Sequence, residues 1–241
     1  MDKGQIPALD PIRRIILALD TDSLEQACRW IDRFQGQLEL FKIGSELFTS
    51  AGPVAVQEVK RRGKGVFLDL KYHDIPNSVR GAVRAATGLG VTFLNVHALG
   101  GDVMIRSAVE ASEEEAQRRG VTPPKVLAVT VLTSLDEPQL DALGLHGGVQ
   151  SWVLRLAEMA VKAGAHGLVA SPMEVGPLRR ALGERIILVT PGIRAHGERR
   201  HDQKRVMGAR EALEAGADYL VMGRTLLEAR DPMAILGALS A

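Results

Sequence analysis

The sequence predicts an α/β protein of the (β/α)8 TIM-barrel class, in which eight parallel strands close into a ring and helices surround them. Two observations predict this fold. Short β-branched runs alternate with longer amphipathic segments eight times along the chain, without a break in composition. The length of 241 residues also suits one such barrel. We therefore expect a single barrel domain over residues 1–241, with a polar lead-in at about 1–14.

The strands are predicted from short apolar runs flanked by Gly, Asp or Pro. Runs of this kind are typical of parallel strands that are buried on both faces. In chain order, the predicted strands cover residues 15–20, 38–43, 65–71, 92–97, 125–132, 167–171, 185–190 and 219–223. A doubly wound open sheet is the alternative, but no Gly-x-Gly-x-x-Gly motif follows an early strand. The closed barrel is therefore the favoured fold.

The helix boundaries are predicted from capping residues and glycines. Ser23, Asp10 and Ser45 are candidate N-caps, because their side chains can accept a hydrogen bond from the first turn of a helix. Glycines stand where the helical patterns stop, as is common one residue past a helix. These are Gly36, Gly63, Gly90, Gly120, Gly164, Gly183 and Gly216.

Composition excludes several classes of protein. Lys plus Arg total 30 and Asp plus Glu total 29, a balance that argues against a nucleic-acid-binding protein. The single cysteine, Cys28, cannot form an intrachain disulfide and suits a reducing compartment. No apolar run approaches the roughly 18 residues needed to cross a bilayer, and the first residues lack the apolar core of a signal peptide. We expect a cytoplasmic protein that binds neither nucleic acid nor membrane.

Charged residues cluster where strands end, which is where barrel enzymes place their active sites. Asp69 and Lys71 are two apart on one predicted strand and should share a face. Lys42 ends the neighbouring strand and can lie beside Asp69, while Asp74 follows just past the strand that carries Lys71. Two positive and two negative charges can compensate one another in a buried site. The alternative is an ion-pair network that only stabilises the barrel.

Strands seven and eight indicate a phosphate site, which barrels often build at this position. Gly223 and Arg224 follow the last strand and offer a backbone N–H and a guanidinium. The string from Thr190 to Arg194 opens a polar loop that runs to about Gln203 and could close over an anion. A solvated surface loop with an ordinary arginine is the alternative.

These residues belong to strings that resemble the orotidine 5'-phosphate decarboxylase family. The strings occur in the family's order and span positions 18 to 224. The ten-residue string around Lys71 and the Thr-Pro-Gly-Ile-Arg string are the most specific. The set is Ala18-Leu-Asp20, Phe41-Lys-Ile-Gly44, Asp69-Leu-Lys-Tyr-His-Asp-Ile-Pro-Asn-Ser78, Thr130-Val-Leu-Thr-Ser134, Thr190-Pro-Gly-Ile-Arg194, Asp202-Gln-Lys-Arg205 and Gly223-Arg224.

The resemblance implies decarboxylation of orotidine 5'-phosphate (OMP) to UMP and CO2, without cofactor or metal. It makes Lys71 the proton donor to C6 of the pyrimidine, within a tetrad completed by Lys42, Asp69 and Asp74. It also implies a homodimer in which Asp74 reaches into the partner's site. The remaining implied substrate contacts are Asp20 with Lys42 at the ribose, Thr133 at the pyrimidine, Arg194, Gln203, Gly223 and Arg224 at the phosphate and lid, and Ile75, Asn77 and Ser78 beside Asp74.

Other interpretations stay open at this point. A magnesium-dependent sugar-phosphate decarboxylase or aldolase of the same wider group shares Asp-x-Lys-x-x-Asp, and Asp20 and Asp69 would then be metal ligands. A catalytically silent phosphate-binding barrel is a second rival. His97 could line the site or be a core histidine. The string from Val206 to Arg210 departs from the family pattern and could shift the start of the next helix.

Overall fold

The computed structural model describes residues 10–194 and 207–240, and these contain a closed barrel of eight parallel strands. The predicted fold class is confirmed. Each strand pairs with the next in the chain, and the first closes the ring against the last. The strands are β1 (Ile15–Ala18), β2 (Leu40–Gly44), β3 (Gly65–Tyr72), β4 (Phe93–His97), β5 (Lys125–Val129), β6 (Gly167–Val169), β7 (Ile187–Thr190) and β8 (Tyr219–Met222).

All eight predicted strands are present, but their ends differ from the predictions. Strand β1 ends at Ala18, so Asp20 lies two residues beyond it. Strand β5 ends at Val129, three residues earlier than predicted. Val131 and Leu132 were predicted to belong to β5, but they lie past its end. Their apolar side chains line a cavity and do not extend the strand. Apolar character therefore marks burial more faithfully than it marks pairing.

Helices follow the strands around the outside of the barrel. Ser23 caps the first helix by accepting a hydrogen bond from the Gln26 backbone, as predicted, and Asp10 caps the 3-10 helix Pro11–Arg14. The prediction for Ser45 was wrong, because Gly44 occupies the cap position and Ser45 begins the helix. The helices are α1 (Leu24–Phe34), α2 (Ser45–Ala51), α3 (Pro53–Arg61), α4 (Pro76–Gly88), α5 (Gly101–Arg119), α6 (Glu137–Ala142), α7 (Val149–Lys162), α8 (Val175–Leu182), α9 (Ala209–Glu214), α10 (Arg224–Leu227) and α11 (Pro232–Ser240).

The barrel has two apolar cores, as alternation along its strands requires. The outer core lies between strands and helices and includes Leu68 and Leu94. The inner core fills the ring, where Phe67 and Phe93 pack edge to face with centroids 6.2 Å apart. Asp69 and Asn95 lie two positions after Phe67 and Phe93, so their side chains also point into the barrel, next to this aromatic pair.

Strand β3 is irregular where it carries its charged residues. Leu68 pairs with Leu94 and Tyr72 pairs with Val96, so three residues of β3 lie opposite the single residue Asn95 of β4. Within this bulge Lys71 has φ of 46°, in the left-handed region. That conformation costs about 1–2 kcal/mol for a residue with a side chain. The regular strand predicted over 65–71 is thus correct in place but not in geometry.

Two short strands, Ile193–Arg194 and Met207–Gly208, pair beside the barrel. Helix α9 begins directly after them at Ala209, within the string that departs from the family pattern. Along the parts of the chain that are described, no helix has both the length and the apolarity needed to cross a membrane. The single domain over 1–241 stays a prediction, since residues 1–9 lie outside the described part.

Candidate active site

A cavity of about 250 Å³ opens at the carboxyl ends of the strands. Its position agrees with the rule that barrel enzymes bind their substrates at this end. One wall carries the charged residues and the opposite wall is mainly apolar. The lining comprises Ala18, Asp20, Lys42, Phe67, Asp69, Lys71, Val129, Val131, Leu132, Thr133, Val169, Ala170, Pro191, Gly192, Val221, Gly223 and Arg224.

Four charged side chains form a continuous chain of ion pairs along the polar wall. Lys42 Nζ lies 2.9 Å from Asp20 Oδ1 and 3.4 Å from Asp69 Oδ2. Lys71 Nζ donates a hydrogen bond to Asp69 Oδ1 at 2.7 Å. Charges alternate from negative to positive along this chain, so each carboxylate has a cation as its neighbour. The predicted proximity of Lys42, Asp69 and Lys71 is confirmed.

The surroundings of Lys42 and Asp69 keep both side chains charged. Burial favours the neutral form of Lys42, but Asp69 and Asp20 outweigh it and raise its pKa above the ordinary value. Burial would likewise raise the pKa of Asp69, yet Lys42, Lys71 and hydrogen bonds from Lys71 and Asn95 lower it. A fixed carboxylate between two ammonium groups is a preorganised electrostatic site.

Asp74 does not join this chain of charges within one protomer. It lies on the surface, where its carboxylate accepts a hydrogen bond from the Ile75 backbone N–H at 2.6 Å. Asp20 instead supplies the second negative charge, so the predicted compensation by Asp74 was wrong for a single chain. Ile75, Asn77 and Ser78 are also exposed, at or just before the start of α4, and they do not line the cavity.

Asn95 is a site residue that the sequence predictions missed. Its side chain is fully buried on β4 and donates from Nδ2 to Asp69 Oδ1 at 2.6 Å. Its Oδ1 accepts a hydrogen bond from the Lys71 backbone N–H at 2.7 Å. The sequence did contain a signal for Asn95, because a lone amide inside the mostly apolar strand of residues 92–97 needs buried hydrogen-bond partners.

The cavity lining includes the predicted phosphate residues that the structure describes. Gly223 and Arg224 stand at the start of α10, and Arg224 and Thr133 both line the cavity. A Cβ atom on Gly223 would lie 3.3 Å from the Ala18 Cβ atom, so β1 packs closely against this turn. The Arg194 side chain and the whole of Gln203 lie outside what the structure describes.

Two histidines stack beside the bulge, with ring centroids of His73 and His97 5.3 Å apart. Burial lowers the pKa of His97, and the neighbouring His73 and Lys71 act in the same direction. His97 Nδ1 accepts a hydrogen bond from the Leu99 backbone at 3.3 Å and is absent from the cavity lining. Across residues 10–194 and 207–240, no group of three or more His, Cys, Asp or Glu side chains is arranged to hold a metal ion.

Comparison with known proteins identifies the family. Residues 13–239 match the model of the orotidine 5'-phosphate decarboxylase / HUMPS family, which is nearly the whole chain. The chain belongs to this family. Within it, the chain is 48% identical over 229 residues to the orotidine 5'-phosphate decarboxylase of Moorella thermoacetica, covering 95% of this chain and 91% of that protein.

Other relatives agree with this assignment. The orotidine 5'-phosphate decarboxylase of Anaeromyxobacter dehalogenans is 47% identical, with 97% of this chain and 99% of that protein covered. Among solved structures, the orotidine 5'-phosphate decarboxylase from Lactobacillus acidophilus superposes with a TM-score of 0.83 at 37% identity, covering 94% of this chain and 97% of that one. The predicted resemblance to the orotidine 5'-phosphate decarboxylase family is therefore confirmed.

Proposed function

We propose that this protein decarboxylates OMP to UMP and CO2, as a carboxy-lyase of de novo pyrimidine biosynthesis. Membership of the family and the names of its relatives support the reaction. The observation that carries the proposal is the chain of charges from Asp20 to Lys71, which shares one cavity with Arg224. A cavity that combines these charges with a guanidinium suits a substrate with a reactive ring and a phosphate.

Lys71 is the proposed proton donor. Loss of CO2 from C6 of the pyrimidine leaves an electron pair at a carbon that no ring carbonyl can delocalise. An ammonium group held at that carbon stabilises the developing negative charge and then donates its proton there. The Lys71 ammonium suits this role because it borders the cavity and is held by the Asp69 carboxylate at 2.7 Å.

Asp69 and Lys42 are proposed to determine the electrostatic field around the reacting carbon. The Asp69 carboxylate would lie near the departing carboxylate of OMP, and two unit charges about 4 Å apart interact by roughly 4 kcal/mol at an effective dielectric of about 20. Such repulsion is relieved as neutral CO2 leaves. Lys42 holds Asp69 from the other side and, with Asp20, offers polar contacts for the ribose. No cofactor or metal is required by this scheme.

The phosphate is proposed to bind at Arg224, away from the reacting carbon. Binding energy from a remote group can still accelerate the reaction by fixing the reacting ring in place. We expect Arg224→Ala to lower kcat/KM for OMP by about 100-fold, the usual size for loss of a charged hydrogen bond. Steady-state kinetics measure this, with Arg230→Ala, an exposed arginine outside the cavity, as the matched control. Wild-type kcat and KM in Arg224→Ala would remove Arg224 from the phosphate site.

The first test of the proposed function is the ultraviolet change that accompanies OMP turnover, recorded with purified protein in excess EDTA. We expect full activity in EDTA, because ammonium and carboxylate groups supply the electrostatic stabilisation. Turnover that stops in EDTA and returns with Mg²⁺ would contradict the metal-free scheme. No turnover of OMP by the wild type would instead favour the magnesium-dependent sugar-phosphate chemistry of the wider group. UMP binding without OMP turnover would favour a silent phosphate-binding barrel.

We further propose a homodimer in which Asp74 enters the partner's site. Asp74 shares a surface depression with Ile75 and Leu99, whose side chains are 68% and 43% exposed. The Asp74 carboxylate does not line the cavity of its own chain, and exposed apolar side chains lie beside it. This combination is consistent with a subunit interface. A cytoplasmic location is proposed from the single, unpaired Cys28 and the biosynthetic reaction.

A further inference from the structure

Asn95 occupies the one position of β4 that faces the bulge of β3. Between the pairs Leu68–Leu94 and Tyr72–Val96, the ordinary backbone ladder is interrupted. Asp69 still pairs with Gly44 of β2, but on the β4 side Asp69 and Lys71 both lie in that interruption. Because a bulge leaves backbone groups unpaired, a side chain of β4 is needed to hold them on this side.

The Asn95 side chain spans this gap with two hydrogen bonds. Its oxygen accepts from the Lys71 backbone N–H at 2.7 Å, where φ is 46°. Its nitrogen donates to Asp69 Oδ1 at 2.6 Å, the same oxygen that accepts from Lys71 Nζ at 2.7 Å. One amide therefore contacts both the backbone that carries the ammonium group and the carboxylate that holds it.

We propose that Asn95 is a positioning residue that sets the relative placement of the Asp69 carboxylate and the Lys71 ammonium group. The inference rests on the proposed function for its kinetic consequence, but its structural part does not depend on OMP. Asn95 is fully buried and does not line the cavity, so it acts through Asp69 and Lys71 rather than on the substrate. An asparagine suits this position because it offers a donor and an acceptor on one rigid group without adding charge.

The loss of Asn95 would change the pKa of Asp69, which also depends on the charged groups around this carboxylate. Lys71 faces it from the same strand, Lys42 from β2, and Asp20 lies behind Lys42. On the β4 side, Asn95 is the direct contact and His97 lies further along the strand. Removing the amide donor takes away a hydrogen bond that favours the ionised carboxylate, so the pKa of Asp69 rises.

The structural test compares the wild type with Asn95→Leu and Asn95→Asp in the absence of ligand. Leucine has a similar size and removes both hydrogen bonds, whereas aspartate keeps an acceptor for the Lys71 N–H but loses the donor to Asp69. The titration of the Asp69 carboxyl carbon is followed by NMR, with its signal assigned from Asp69→Asn. We expect the titration to move to higher pH in both variants.

The kinetic test uses the same variants with OMP. We expect kcat to fall by about 10- to 100-fold, the size expected for loss of a hydrogen bond to a charged group. KM should change by less than about threefold, because Asn95 touches no substrate group, and the acid limb of kcat/KM should move to higher pH. Thr130→Val is the matched control, since Thr130 is equally buried on the segment after β5 and its hydroxyl donates to the Val169 backbone oxygen, away from Asp69.

The outcomes separate this inference from the proposed function. An unmoved Asp69 titration in folded Asn95→Leu, or a kcat equal to that of Thr130→Val, would overturn the positioning role. Failure of the wild type to convert OMP would overturn the proposed function, while the NMR comparison would still decide whether Asn95 holds Asp69. If Asn95→Leu fails to fold, Asn95→Ala decides both measurements, because it removes both hydrogen bonds without adding a charge beside Asp69.

Discussion

Replacing Lys71 by alanine should abolish OMP turnover, with a loss in kcat of about 10⁴-fold or more. The reason is that one side chain supplies both the stabilising charge and the proton, and such contributions are individually worth about 10²–10⁴-fold. UMP binding should survive, because Arg224 and Thr133 also line the cavity and are left in place. Single-turnover absorbance measurements give kcat, and the rise in melting temperature with added UMP reports binding.

Two comparisons make the Lys71 result specific. Lys60→Ala removes an exposed lysine from α3 and should leave activity unchanged, which controls for the loss of one positive charge. Lys71→Arg keeps the charge but offers a group that does not release its proton at neutral pH, so it should also be inactive. Substantial turnover by Lys71→Ala would show that another group donates the proton and would move attention to Lys42.

Much of the site could be predicted because its charges obey a simple rule of barrel geometry. Side chains at the carboxyl ends of parallel strands meet at one end of the ring. Lys42 and Asp69 lie in the last residues of two strands, Asp20 and Arg224 lie two residues past the ends of two others, and all four line the cavity. The strands themselves could be located in the sequence because strands that are buried on both faces are apolar throughout.

The bulge in β3 could not be predicted, because the residue types in this strand do not indicate a bulge. A positive φ usually falls on Gly, Asn or Asp, and here it falls on Lys71. The strain is offset by a long-range contact, the hydrogen bond from the Lys71 N–H to Asn95, which a local pattern cannot reveal. Asn95 carried a signal of its own, but without the register of β3 and β4 its partners could not be named.

The place of Asp74 could not be settled from one chain either, and this leads to the second large prediction. In one protomer Asp74 is exposed, while Asp20 balances the charge of Lys42. If Asp74 acts in the partner's cavity, each site combines Lys71 from one chain with Asp74 from the other. Lys71→Ala and Asp74→Ala should each be nearly inactive as homodimers, because every site then lacks one of the two groups.

Mixed dimers of these two variants should regain activity. In a heterodimer of Lys71→Ala with Asp74→Ala, one site carries both changes and the other carries neither. Random exchange of equal amounts makes about half of the dimers mixed, so the unseparated preparation should recover about one quarter of wild-type activity. The measurement is OMP turnover by doubly tagged dimers, purified after the two variants are co-expressed with different affinity tags. Each purified dimer keeps one intact site of two, so about half of wild-type activity should return.

The control for this experiment uses two residues that contact each other within one chain. Lys71 and Asp69 are joined at 2.7 Å, so both belong to the same protomer's site. In a mixed dimer of Lys71→Ala with Asp69→Ala, each site keeps one defect, and no activity should return. Recovery with Asp74→Ala but not with Asp69→Ala would therefore assign Asp74 to the partner's site. Equal failure of both pairs would confine every site to one chain, whereas full activity of Asp74→Ala alone would leave Asp74 as a surface carboxylate beside α4.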